Sequence, residues 1–176
     1  MQEIIKLITM RNKFLQMFLL LVLSLMAYQA NAQKDMQSDY YNYEVTSIGV
    51  GQDGTKILLV TVEAKKIDDG IELAKRNAIA ACLFKGVEAS GQTEKIPALV
   101  PQGITGENQE FFNDFLKLKD KKSGGKYLRF VTRTGNQKAE KNNKNYKVSL
   151  EVQVSYNALR DYMVSEGMAK SLNFLF

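Results

Sequence analysis

The chain has no histidine and no tryptophan, one cysteine and two prolines among 176 residues. Without histidine there can be no Ser-His or Cys-His nucleophile pair and no imidazole metal site. The single cysteine, Cys82, cannot close an internal disulfide, so the fold has to be held by its core. Its apolar helical neighbours, Ala78, Ala81 and Phe84, suit a small core residue better than a redox thiol. No Gly-rich phosphate loop with its lysine is present: Gly49-Val50-Gly51 lies between two strand-like runs, not ahead of a helix. Carboxylate chemistry remains, and Asp68-Asp69 is the only tight acidic pair. That pair suits the cap and charge of a helix start, the alternative being a carboxylate-only hydrolase. Asp53-Gly54 lacks the further acidic ligands that calcium requires and is read as a turn. No catalytic residue, cofactor or metal is therefore expected, and the chain is read as a non-enzyme.

What is present begins with a three-part leader. Lys6, Arg11 and Lys13 precede an apolar run from Phe14 to Met26, and Ala30-Asn31-Ala32 supplies a small-residue cleavage pattern. Residues 1–32 are expected to be a signal peptide cleaved after Ala32, with translation starting at Met1 or Met10. The apolar run is shorter than the roughly 20 residues of a spanning helix, which disfavours an uncleaved anchor. No transmembrane segment is expected after cleavage. The expected location is exported: the periplasm first, with outer-membrane association or secretion as alternatives. Residues 33–42 then form a polar, flexible leader, 43–168 a single domain and 169–176 an apolar tail. The tail ends Phe174-Leu175-Phe176, like the closing strand of an outer-membrane barrel, but the strand-like runs are too few for a barrel.

Charge is segregated. Residues 117–147 hold eleven Lys or Arg against Asp120 and Glu140, a net of +9. Residues 33–176 as a whole carry 21 basic and 18 acidic groups, a net of +3, so the remainder is near −6. A candidate binding surface combines Arg129, Arg133, Lys138, Lys141 and Lys144. The plain alternative is a solvated hairpin whose lysines guard a sheet edge against pairing.

The pattern along the chain gives the order β-β-α-(α)-β-β-α. Tyr41 to Val50 is strand-like with a bulge near Thr46-Ser47, Asp53-Gly54 is hairpin-turn chemistry, and Lys56 to Ala64 is a covered strand. Ile71, Ala74, Ala78, Ala81 and Cys82 recur at helical spacing, with Glu72, Lys75 and Arg76 on a solvated face and Gly86 or Gly91 as the stop. A short aromatic helix over 107–118, carrying Phe111, Phe112 and Phe115, covers the far flank of that helix. A strand is expected over 127–134, with Arg129 and Arg133 on one face, and a polar loop over 135–145. Tyr146 to Tyr156 alternates apolar and polar residues without a break, the mark of a strand wet on one side. Asn157 caps a last helix that Gly167 stops. The expected fold is α+β: one antiparallel sheet of about four strands with helices packed on one face. The two ββα halves echo one another.

Ile48-Gly49-Val50-Gly51, the spaced alanines running into Leu83-Phe84-Lys85-Gly86, and Leu159-Arg160-Asp161-Tyr162 resemble exported proteins of the Bacteroidetes group. The same arrangement is similar to the N-terminal domain of flagellar assembly protein T. The resemblance spans most of 43–167 and departs from it at the Phe-rich 107–118 segment. It implies a non-catalytic envelope module and carries no site residues over. Its partner is expected to be an envelope protein or an anionic glycan or lipid surface; nucleic acid suits the charge but not the compartment.

Overall fold

The computed structural model describes residues 16–17, 44–117 and 125–170. The chain divides into two units, Met1–Asp39 and Tyr40–Phe176. Of the first, only Gln16 and Met17 are described, both helical and exposed. The rest of the expected signal segment, the 33–42 leader and residues 171–176 of the tail lie outside the described residues.

The second unit is one four-stranded antiparallel sheet with helices, an α+β fold. Its elements are β1 (Glu44–Val50), β2 (Lys56–Ala64), α1 (Ile67–Ala80), α2 (Gln109–Phe115), β3 (Val131–Asn142), β4 (Asn145–Val154) and α3 (Tyr156–Ser165). The spatial order is β1-β2-β4-β3. The second strand of each hairpin is thus central, and the first strand of each is an edge. This is the physical form of the echo between the two ββα halves.

β2 and β4 make the hydrophobic floor. Leu58, Val60 and Val62 face Val152, Leu150 and Val148 in register, and all six are buried. On the other face Thr61 meets Ser149, hydroxyl to hydroxyl at 3.0 Å, and Glu63 stands opposite Lys147. Period-two alternation therefore sorts apolar from polar side chains as a one-sided antiparallel sheet requires. The β1–β2 register shifts between Ser47 and Gly49, leaving Ile48 as an extra residue that is 44% exposed. Asp53 and Gly54 both take positive φ, 55° and 72°, in the connection.

α1 lies on β2 and β4. It can come close because its sheet-facing residues are small: Gly70, Ala74 and Ala78 are all buried. At Gly70 a methyl group would stand 2.7 Å from Val148 Cγ2, so the approach there needs glycine. Asp68 and Asp69 charge the first turn but do not cap it; the N-cap is Lys66, with no side-chain bond. The helix widens into a π turn over Ala81–Lys85 and stops at Gly86, φ 74°. The chain then folds back, Val87 and Ile96 exchanging N–H···O bonds of 2.9 Å.

An aromatic cluster closes one end of the core. Phe112 meets Phe84 edge-to-face at 5.0 Å, as expected of a cover over the end of the Ala-rich helix. Phe115 also packs on Phe130 and Tyr162, at 6.0 and 5.7 Å, so α2 is joined to α3 as well. Tyr156 begins α3 and does not end β4; its hydroxyl donates to the Pro97 carbonyl at 2.8 Å. Asn157 is not the helix cap, since Ser155 holds that position without a side-chain bond.

Candidate functional site

The five cations singled out in the sequence do not form one patch. The expected strand over 127–134 is a 3-10 turn, Lys126–Phe130, followed by β3 from Val131. Arg129 therefore leaves the row: its guanidinium lies over the rings of Tyr162 and Phe130, 4.3 and 4.9 Å from their centroids. Arg133 lies on β3 opposite Val152, and a register shift between Arg133 and Gln137 separates it from the rest. Lys138, Lys141 and Lys144 remain together near the hairpin tip, all exposed.

The expected 135–145 loop is mostly strand. β3 continues to Asn142 and turns through Asn143 and Lys144 alone, with Asn143 at φ 52° and Asn142 paired to Asn145. Alternation fails as a signal here because both faces of β3 are wet. From Thr132 to Lys144 no residue is buried. Pairing with β4 comes from the backbone and the Asn-containing turn, not from an apolar stripe.

The register fixes where each charge points. Lys138 stands opposite Ser149 on the open face of the sheet; Lys141 stands opposite Tyr146 and Arg133 opposite Val152, both on the helix side. Lys147 lies between Glu140 on β3 and Glu63 on β2, so its field is offset on both sides. Arg133, Lys138, Lys141 and Lys144 form no ion pair with a described residue. With Glu140 and Glu151 against Arg133, Lys138, Lys141, Lys144 and Lys147, the hairpin 131–154 carries a net charge of +3.

A second polar group sits inside the fold. Glu72, Lys75 and Arg76 were expected on a solvated helix face, yet all three are half-buried. Glu72 Oε1 takes a bond of 3.3 Å from Lys75, while Glu72 Oε2 and the Tyr127 hydroxyl are buried with no bonding partner among the described residues. Burial, with the Glu72 charge nearby, pushes the Tyr127 hydroxyl up to about 12, partly offset by Arg76. The 3-10 turn that redirects Arg129 also seats Tyr127 here, which strand periodicity could not show.

Cys82 is fully buried, and burial pushes its thiol up to about 12 against a smaller opposing pull from Lys56. It is held as a neutral, unreactive core residue. Among the described residues no group of three or more His, Cys, Asp or Glu is placed to hold a metal ion, and no helix is long and apolar enough to cross a membrane. No protein-family model, curated protein or solved structure matches the chain.

Proposed function

We propose that this is an exported, non-catalytic binding or assembly module of the cell envelope. It docks an acidic envelope protein through the β3–β4 hairpin. The observation that carries the reading is the exposed hairpin bearing Lys138 and Lys141 on β3 and Lys144 in the turn, with no ion pair to a described residue. The basic, small-residue-ended leader supports export, and the resemblance to the N-terminal domain of flagellar assembly protein T supports an assembly role. β4, the inner strand of the hairpin, is anchored in the core by Val148, Leu150, Val152 and Val154.

Complementary charge steers encounter and chooses partners, and screening acts over about 8 Å at physiological ionic strength. The test compares wild-type protein with Lys138→Glu/Lys141→Glu in capture from envelope extract, followed by reconstitution with the purified partner. An acidic protein bound by wild type and lost from the charge-reversed form is the expected result. Equal capture by both forms overturns the reading. So does binding confined to anionic-lipid vesicles or a polyanionic glycan and abolished by salt, which would make the hairpin a surface binder.

A further inference from the structure

Resting on that reading, we propose a specific mode and partner class: β3 accepts an acidic, extended polypeptide segment as a fifth strand of the sheet. The backbone argument begins at the turn. In a two-residue hairpin the flanking pair, here Asn142 and Asn145, is hydrogen-bonded, and bonded and non-bonded pairs alternate from there. Lys138 and Glu140 therefore turn their N–H and C=O groups toward β4. Gln137, Ala139 and Lys141 turn theirs outward, where β3 has no neighbouring strand among the described residues. The regular stretch 137–142 runs about 20 Å at roughly 3.3 Å per residue, enough for a short added strand.

The other edge is less available. β1 is shorter, its middle residue Ser47 is buried, and the Thr93 hydroxyl of the following loop lies 3.4 Å from the Ser47 carbonyl. Among the described residues nothing buries β3 beyond Val131, and its residues from Thr132 to Asn142 are exposed or half-buried.

Charge chooses the occupant. A second copy pairing edge to edge would bring together two segments, 131–144, that each carry Arg133, Lys138, Lys141 and Lys144 against Glu140, a net of +3 on each. That charge opposes pairing in every register but the one that sets Lys138 against Glu140. An acidic strand meets the opposite net field in any register, so net charge favours it over a second copy. Register sets a pattern: Lys138 and Lys141 lie three residues apart on opposite faces of the sheet, with Glu140 between them. The incoming strand thus carries acidic residues three apart, with a non-acidic residue opposite Glu140.

The test uses the full chain and a synthetic peptide of about ten residues, with two Glu three apart in a Val/Thr background. Binding and amide exchange are measured on wild type, Ala139→Pro and Lys138→Glu/Lys141→Glu. Proline at position 139 removes an outward N–H but no β3–β4 bond and no charge. The expected result is binding to wild type, exchange at Gln137, Ala139 and Lys141 slowed at least tenfold, and a tenfold or greater loss of affinity in both variants. Binding that leaves those three amides unprotected, or that Ala139→Pro with an unchanged circular dichroism spectrum retains in full, overturns strand addition and leaves charge docking standing. If Ala139→Pro fails to fold, the exchange pattern of the wild type decides alone. Protection of the same amides without peptide, together with a dimer in sedimentation, also overturns the proposal, since a second copy then holds the edge. An acidic protein partner lost on charge reversal, combined with no peptide binding, overturns strand addition only. Loss of every charge-dependent partner defeats the underlying reading as well.

Discussion

The guanidinium carbon of Arg129 lies 4.3 Å from the centroid of the Tyr162 ring. This contact ties the 3-10 turn to α3 and takes Arg129 out of the basic hairpin. Arg129→Ala should cost about 1 kcal/mol of stability through lost cation–π attraction and lost packing of the arginine stem. Urea denaturation measures that cost. Partner capture should be unchanged by the same substitution, whereas Lys138→Glu/Lys141→Glu should do the reverse: abolish capture and barely move the midpoint.

Phe115 carries more of the cluster. It is fully buried and packs on Phe111, Phe130 and Tyr162, with centroids 5.8, 6.0 and 5.7 Å away. Phe115→Ala should cost about 3–5 kcal/mol, a large share of the about 5–15 kcal/mol of an ordinary domain. Phe111 is only half-buried, so Phe111→Ala should cost less than half as much. Equal costs, measured by chemical denaturation, would mean that α2 is not anchored through Phe115.

The strands and helices that bury one face were legible in the sequence, because burial writes a period into it. β4 shows this best: Val148, Leu150, Val152 and Val154 are all fully buried, as their alternation required. α1 was legible for the same reason, through Ala74 and Ala78. β3 was not, since an edge strand wet on both faces has no apolar period to display; Lys138 to Asn142 spell a loop by composition and a strand by pairing. The split of the candidate surface follows from that. Arg129 and Arg133 share a phase in a strand, but a 3-10 turn ending at Phe130 sends Arg129 to Tyr162. The one signal available was aromatic: Tyr127 and Phe130 sit three apart, the spacing of a 3-10 turn.

Tyr127 offers a test of the interior. Its hydroxyl is buried with no bonding partner among the described residues, so it contributes desolvation cost without a bond to offset it. Tyr127→Phe should leave stability unchanged or raise it by about 1 kcal/mol. Loss of more than about 1 kcal/mol in urea denaturation would show that the hydroxyl is bonded in solution.

Gly86 and Gly91 separate two costs of replacing glycine. Both hold positive φ, 74° and 60°. A methyl group at Gly91 would meet nothing within 4 Å, so Gly91→Ala should cost about 1 kcal/mol for the backbone alone. At Gly86 it would stand 2.6 Å from the Ile96 carbonyl oxygen, which the Val87–Ile96 exchange of bonds holds in place. Gly86→Ala should therefore cost at least twice as much, read from thermal midpoints. It should also speed amide exchange at Val87 and Ile96, whereas Gly91→Ala should leave those amides protected.

Stability should fall as pH rises above 9, first through Cys82 and increasingly through the buried tyrosines. The Cys82 thiol rises from 9.0 to about 12 in the fold because burial disfavours the thiolate. A raised value means that the stabilisation is complete below pH 9 and is lost as pH climbs from 9 toward 12. The unfolded chain gives up its thiol proton in that range while the folded chain keeps it. Tyr127 and Tyr156 rise from 10.0 to about 12, chiefly by burial, and begin to add their loss as pH approaches 10. Between pH 9 and 10 Cys82 is the largest contributor of these three groups, at about 1 kcal/mol against about 0.3 kcal/mol for each tyrosine. Cys82→Ala lowers stability by leaving a small cavity, but its curve should fall more shallowly than that of wild type between pH 9 and 10. Urea midpoints of the two forms across pH 8–11 make the comparison. Parallel curves would mean that the thiol is not buried, and rapid reaction of folded Cys82 with a thiol reagent at pH 8 would say the same.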